Sequence, residues 1–143
     1  MIADPALAIA AIVAGVLAGL SLLHVYWCMV GISGRSIALP EIDGRPTFQP
    51  SRLASFAVAV ALGLAAWLVA AQGGFVPPVV SPQVTRLGVI AVGVVFLLRA
   101  VGDFRLVGFF KRIRGTPFAR WDTRLFSPLC LALGLGCLWL AVR

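Results

Sequence analysis

Four apolar segments, each long enough to cross a lipid bilayer as a helix, constrain this chain more than any other feature of its sequence. A bilayer core of about 30 Å is crossed by roughly 20 apolar residues in an α-helix. We place the helices at about residues 5–32, 51–71, 82–104 and 123–142. Only 12% of the residues are charged, too few for the surface of a soluble domain. The sequence therefore predicts an all-α, polytopic membrane protein, with four transmembrane helices in an antiparallel bundle that forms a single domain, 1–143.

Local signals indicate where these helices begin. Ser51 is a suitable N-cap for the second helix, and Ser81 with the proline after it opens the third. A cap at Ser127 leaves a fourth helix too short to span, so we place this N-cap at Asp122 and expect a bend or irregularity near Pro128. In the first loop, the Asp43-Gly44 turn predicts a short hairpin, although nearby prolines disfavour it.

The distribution of lysine and arginine predicts the orientation. The loops after helices one and three, with the helix ends beside them, carry nine basic residues. The opposite side carries two, Arg86 and Arg143. The nine are Arg35, Arg45, Arg52, Arg105, Lys111, Arg112, Arg114, Arg120 and Arg124. Arg99 lies within the third apolar segment and is not counted. Because basic loops remain in the cytoplasm, we expect both termini outside.

The second basic loop alternates aromatic and cationic residues next to a helix end, as interfacial segments on anionic lipid do. A loop that is merely solvated is the alternative, but it would leave several aromatic side chains in water. We expect anionic head groups at the cytoplasmic face to contact this segment. The predicted lipid-interface residues are Phe109, Phe110, Lys111, Arg112, Arg114 and Trp121.

Small residues at four-residue spacing predict how the first two helices pack, since membrane helices associate through close contact at such positions. The first helix has Ala11, Gly15 and Gly19, and the second has Ala57, Ala61 and Ala65. We expect these two stripes to face each other.

Polar side chains inside or beside apolar segments are the candidate ligand-binding residues, because their burial in a membrane is costly. They are His24, Tyr26, Trp27, Arg99, Asp103 and Asp122. Arg99 and Asp103 are four residues apart, a spacing that allows a pair on one helix face. The group is interpreted either as a pocket open to the cytoplasm, as purely structural polar contacts, or as a contact between subunits.

Other classes of function are disfavoured. The net charge of +7 is concentrated in loops beside apolar segments, so we expect no nucleic-acid partner. One histidine, five acids and three cysteines in apolar runs form no catalytic constellation or metal site that we recognise.

Three motifs carry a resemblance to a known family. They are HVYW at residues 24–27, FLLRAVGDFRLVGFFKR at 96–112 and FARWDTRLFSPLC at 118–130. Together they resemble a family of short bacterial four-helix inner-membrane proteins catalogued only as a domain of unknown function. The resemblance implies a multi-pass protein of the bacterial inner membrane, and it supplies no activity, cofactor or partner.

Three functional hypotheses follow from the sequence. The first is a non-catalytic protein that binds a lipid or small amphipathic molecule in a cytoplasm-facing pocket, with Arg99 as the anion contact. The second is an accessory subunit that packs against a larger membrane complex. The third is a small membrane-embedded enzyme that uses His24 as acid or base beside a carboxylate, Asp103 or Asp122.

Overall fold

The computed structural model describes residues 4–32 and 37–143, and in that part four helices are long and apolar enough to cross a membrane. They are α1 (Pro5–Val30), α2 (Arg52–Gln72), α3 (Pro82–Val101) and α4 (Pro117–Ala141). A two-stranded antiparallel hairpin, β1 (Glu41–Ile42) with β2 (Arg45–Pro46), lies between α1 and α2. The prediction of an all-α, four-helix membrane protein is confirmed. Arg35, which contributed to the charge count, lies outside the described residues.

A side-chain cap begins each of the four helices where the chain leaves the loops, and in α4 Thr116 Oγ1 accepts the Ala119 N–H. Asp4 accepts the Ala6 N–H of α1, Ser51 accepts the Ala54 N–H of α2, and Ser81 accepts the Val84 N–H of α3. Each cap satisfies one of the N–H groups that a helix start leaves without an intrahelical partner. In the hairpin, Asp43 and Gly44 both have positive φ (52° and 74°), as a type I′ turn requires.

The helices pack as two pairs, α1 with α2 and α3 with α4, and the pairs are joined mainly by α2 against α3 and α1 against α4. At one end of the bundle the hairpin and residues 113–117 line a common groove, and we call this the loop end. At the opposite end Gln72 Nε2 donates to the Leu140 carbonyl at 3.3 Å. Large apolar side chains on the outer faces of all four helices are exposed, as lipid-facing surfaces are.

The predicted contact between two small-residue stripes is wrong. Ala11, Gly15 and Gly19 are all exposed, and nothing lies within 4 Å of a Cβ placed at either glycine. The buried face of α1 is instead formed by Ala10, Val13 and Leu17. Hydrophobicity does not select between the faces of a helix in lipid, so spacing alone could not identify the packed face.

The contact between α3 and α4 needs glycine on both helices. A Cβ at Gly134 would lie 2.7 Å from Leu97 Cγ and 3.0 Å from the Gly93 carbonyl oxygen. A Cβ at Gly93 would in turn lie 3.1 Å from Cys137 Cβ. Small residues therefore do set a helix interface here, but between the third and fourth helices.

The fourth helix begins earlier than predicted. Thr116 is its N-cap, residues Pro117–Trp121 are α-helical, Asp122–Phe126 form a π-helical turn, and Ser127–Ala141 are α-helical again. Asp122 is therefore inside the helix and is not its N-cap. The irregularity expected near Pro128 is present, because proline lacks an N–H and its ring would clash with the carbonyl four residues before it. The wider turn accommodates both effects.

Candidate functional site

A buried carboxylate organises the loop end of α3 and α4. Asp122 is fully buried and accepts four hydrogen bonds from the described residues. Arg99 Nη2 donates to Oδ1 at 2.8 Å, whereas Lys111 Nζ and the Gly108 N–H donate to Oδ2 at 2.9 and 2.8 Å. Ser127 Oγ, one π-turn further along the helix, donates to Oδ2 at 3.1 Å. The carboxylate thus connects three segments that are distant in sequence.

Lys111 lies inside this cluster, so the prediction that it contacts lipid is wrong. Its residue is 2% exposed, and Nζ donates to Asp122, to the Gly108 carbonyl at 2.9 Å and to Thr123 Oγ1 at 2.6 Å. An ammonium group has three N–H donors, and all three are used. A long basic side chain was expected to reach the membrane surface, but here the loop folds over it.

Arg99 pairs with Asp122 and not with Asp103, which corrects the predicted pair. The i, i+4 geometry requires a continuous helix, but α3 ends at Val101 because Gly102 has a φ of 90° and reverses the chain. A Cβ at Gly102 would overlap the Val107 carbonyl, so this close loop requires glycine. Arg99 Nη1 is buried and has no hydrogen-bond partner among the described residues.

Asp103 has a different role, because it stabilises the loop that covers the cluster. Its Oδ1 accepts the N–H groups of Arg105, Leu106 and Val107 at 2.9, 2.7 and 3.0 Å. Desolvation raises the pKa of this carboxyl, but the backbone hydrogen bonds outweigh it, and the pKa lies below the ordinary value of 3.8. The same loop brings the Gly108 N–H and Lys111 to Asp122.

A separate pocket lies at the loop end between α1 and α2, with a volume of about 260 Å³. It is lined mainly by apolar side chains, with His24 and Ser55 as its polar members. His24 Nδ1 donates to the Leu20 carbonyl at 2.8 Å. Since a carbonyl can only accept, Nδ1 carries a proton, and a neutral imidazole in this tautomer has Nε2 as an acceptor. Trp27 packs edge-on against the imidazole at 4.9 Å between centroids.

The structure therefore does not bring the predicted ligand-binding residues together at one site. His24 and Trp27 line the pocket, Arg99 and Asp122 form the buried cluster, and Asp103 caps the covering loop. Tyr26 is exposed on the outer surface of α1 and lines neither. No acidic side chain lines the pocket within the described ranges, so the carboxylate that acid–base chemistry at His24 would need is not found there.

The remaining lipid-interface residues lie at the surface of the loop end. Phe110, Arg112, Arg114 and Trp121 are exposed, and Phe109 is half-buried. Arg114 Nε donates to the Lys111 carbonyl at 3.1 Å, which fixes part of its side chain.

Several residues of these sites were not identified from the sequence. Thr123 and Ser127 complete the cluster, and Ser55 lines the pocket. The available signal for Ser127 was its position five residues after Asp122 and next to Pro128, since a π-turn brings residues i and i+5 together. Ser55 carried no signal, because small hydroxyl residues are frequent in membrane helices.

Comparison with known proteins gives one family and nothing further. A family model described as a protein of unknown function (DUF3995) matches residues 16–137. This range contains the pocket and the whole buried cluster. The chain has no match among curated proteins or solved structures.

Proposed function

The chain belongs to the DUF3995 family of proteins of unknown function, and we propose from its own geometry that it is a membrane protein that binds a small amphipathic molecule in the pocket beside His24. The observation that carries the proposal is a mainly apolar pocket lined by His24, whose Nε2 has no hydrogen-bond partner among the described residues. Ligand sites typically combine an apolar lining with a few oriented polar groups.

The shape of the pocket favours a ligand with an apolar body and a small polar group. Leu39, Phe48, Ala54 and Val58 line it with apolar surface. A volume of about 260 Å³ lies just below the range of roughly 300–1,000 Å³ for drug-sized ligands. A medium-chain alcohol or comparable amphiphile matches these properties, with its hydroxyl donating to His24 Nε2.

The position of the pocket favours a molecule drawn from the membrane interface. His24 is six residues before the end of α1, which is about 9 Å along the helix axis. The segment after the hairpin, including Phe48 and Pro50, closes one side. An amphiphile bound here keeps its polar group near the membrane surface and its chain toward the bilayer.

A photolabelling experiment tests this function. The protein in detergent micelles is irradiated with a diazirine derivative of 1-decanol, and labelled residues are mapped by mass spectrometry. We expect labelling at residues 38–58 that excess 1-decanol suppresses. Ala54→Phe fills the pocket and should reduce this labelling at least fivefold, whereas Ala57→Phe, on the exposed face of α2, should not. Labelling spread over the outer helix faces and insensitive to Ala54→Phe would contradict the proposal.

An accessory subunit remains the second candidate function, and one observation favours it. The stripe of Ala11, Gly15 and Gly19 on α1 is exposed and has open space in front of both glycines, and membrane helices associate at such stripes. Native mass spectrometry of the gently extracted protein tests it. A stoichiometric copurifying membrane protein that Gly15→Leu removes supports this candidate, and a monomer free of protein partners contradicts it.

A further inference from the structure

We infer that the start of α4 carries a second binding site, for a phosphate group, formed by Pro117, Arg120, Trp121 and Arg124. These four residues line an open cavity with a volume of about 290 Å³ at the loop end. The two arginines are four residues apart and flank the same cavity. None of the four lines the pocket beside His24, so the inference is independent of the proposed function.

Neither arginine has an acidic partner. Both salt bridges found among the described residues are made by Asp122, to Arg99 and Lys111. Of the remaining acids, Asp4 caps α1 and Asp103 binds loop amides. Glu41 and Asp43 line the neighbouring groove beyond Pro117 and form no ion pair with Arg120 or Arg124.

The buried cluster behind the site adds to its positive potential. Arg99 and Lys111 carry two positive charges against the single charge of Asp122, which leaves a net charge of +1. Asp122 is fully buried and cannot turn outward to neutralise the surface arginines. Uncompensated positive charge at a membrane interface attracts anions.

The side chains suit an oxyanion such as a phosphate group. A guanidinium group donates two parallel N–H bonds that match the spacing of phosphate oxygens. Two such groups, with Trp121 lining the same cavity, fit a phosphate that is attached to an apolar or glycerol portion. The ligand is therefore a phosphate ester, either the head group of an anionic lipid or a small water-soluble ester.

The fold fixes the backbone that carries these arginines before any ligand binds. Phe118 and Ala119 on the first turns of α4, and Asp122 in the π-turn, are buried against the rest of the protein. Their burial fixes the inward face of the helix, so Arg120, Trp121 and Arg124 remain outward. Sites of this kind bind more tightly because little backbone order is lost on binding.

The test compares two variants that remove the same charge. Arg120→Gln/Arg124→Gln removes the site, and the loop variant, Arg45→Gln/Arg105→Gln, removes two exposed arginines from the two loops outside it. Native mass spectrometry measures phosphatidylglycerol retained from micelles that contain equal amounts of phosphatidylglycerol and phosphatidylcholine. In a second arm, glycerol 3-phosphate is titrated in detergent alone, and its binding is followed by broadening of the ³¹P resonance.

We expect the site variant to lower the affinity for one of these probes at least tenfold, and the loop variant to change it less than threefold. If phosphatidylglycerol responds and glycerol 3-phosphate does not bind, the phosphate comes from a lipid. If glycerol 3-phosphate binds saturably and only the site variant loses it, the ligand is a soluble ester. Equal losses in both variants, or no variant-sensitive binding of either probe, would overturn the inference. Circular dichroism checks that both variants remain folded.

Discussion

At the scale of single residues, Asp122 is the residue on which the buried cluster depends most. One carboxylate with no exposure balances a guanidinium and an ammonium group and also receives a backbone N–H and a serine hydroxyl. Removing one partner of a buried ion pair costs far more than the pair contributes, because an unpaired charge remains in a medium of low dielectric constant. The two cations therefore make Asp122 the least replaceable member of the cluster.

We predict that Asp122→Asn lowers stability in detergent by about 3–5 kcal/mol, because Arg99 and Lys111 both lose their counter-charge. Lys111→Met should cost less, since Asp122 stays paired with Arg99. Adding Lys111→Met to Asp122→Asn should restore part of the loss. Unfolding by sodium dodecyl sulfate in mixed micelles measures the stability of the three variants and so ranks them. Arg112→Gln, at an exposed position, is the control, and an Asp122→Asn no worse than this control would refute the prediction.

At the scale of secondary-structure elements, glycine positions separate a packed helix face from a lipid-facing one. Gly134 of α4 lies against Leu97 and Gly93 of α3, whereas Gly15 of α1 has nothing within 4 Å of an added Cβ. Both glycines are helical, so their substitution by alanine changes helix propensity alike. The difference between the two substitutions therefore reports the packing alone.

Gly134→Ala should destabilise the protein by about 1–3 kcal/mol, because the added methyl group overpacks the α3–α4 contact. Gly15→Ala should be neutral or slightly stabilising. The midpoint of thermal unfolding in detergent, measured for both variants, decides the matter. Equal effects of the two substitutions would mean that the α3–α4 contact is looser than the structure places it.

At the scale of the whole molecule, the antiparallel arrangement places the hairpin and residues 113–117 at one end, and Gln72 beside Leu140 at the other. Both proposed binding sites and most of the basic residues lie at the loop end. The excess of basic residues predicts that this end faces the cytoplasm.

Reporter fusions test the orientation. A fusion at the C-terminus after Arg143, and one at Gly74 between α2 and α3, should report the external side. A fusion at Gly115, between α3 and α4, should report the cytoplasm. We expect this orientation because loops rich in basic residues are retained in the cytoplasm, and nine basic residues lie at this end. The reverse pattern, with the C-terminus in the cytoplasm, would overturn the assignment.

The sequence by itself determined the number of helices and where the second and third begin, because these depend on local properties. The length of an apolar run sets whether it spans a bilayer, and Ser51 and Ser81 cap their helices through the next few N–H groups. The Asp43-Gly44 turn and the irregularity near Pro128 likewise follow from the φ angles and hydrogen bonds of a few neighbouring residues.

Only the tertiary structure decided which polar groups meet. Asp103 and Asp122 were both plausible partners for Arg99, and the choice depended on Gly102 ending α3 and on the loop that buries Lys111. The same holds for α1, whose packed face contains Ala10, Val13 and Leu17 although its small-residue stripe lies elsewhere. Every face of a membrane helix is apolar, so the face that packs is selected by shape and by distant hydrogen bonds, neither of which is encoded in local spacing.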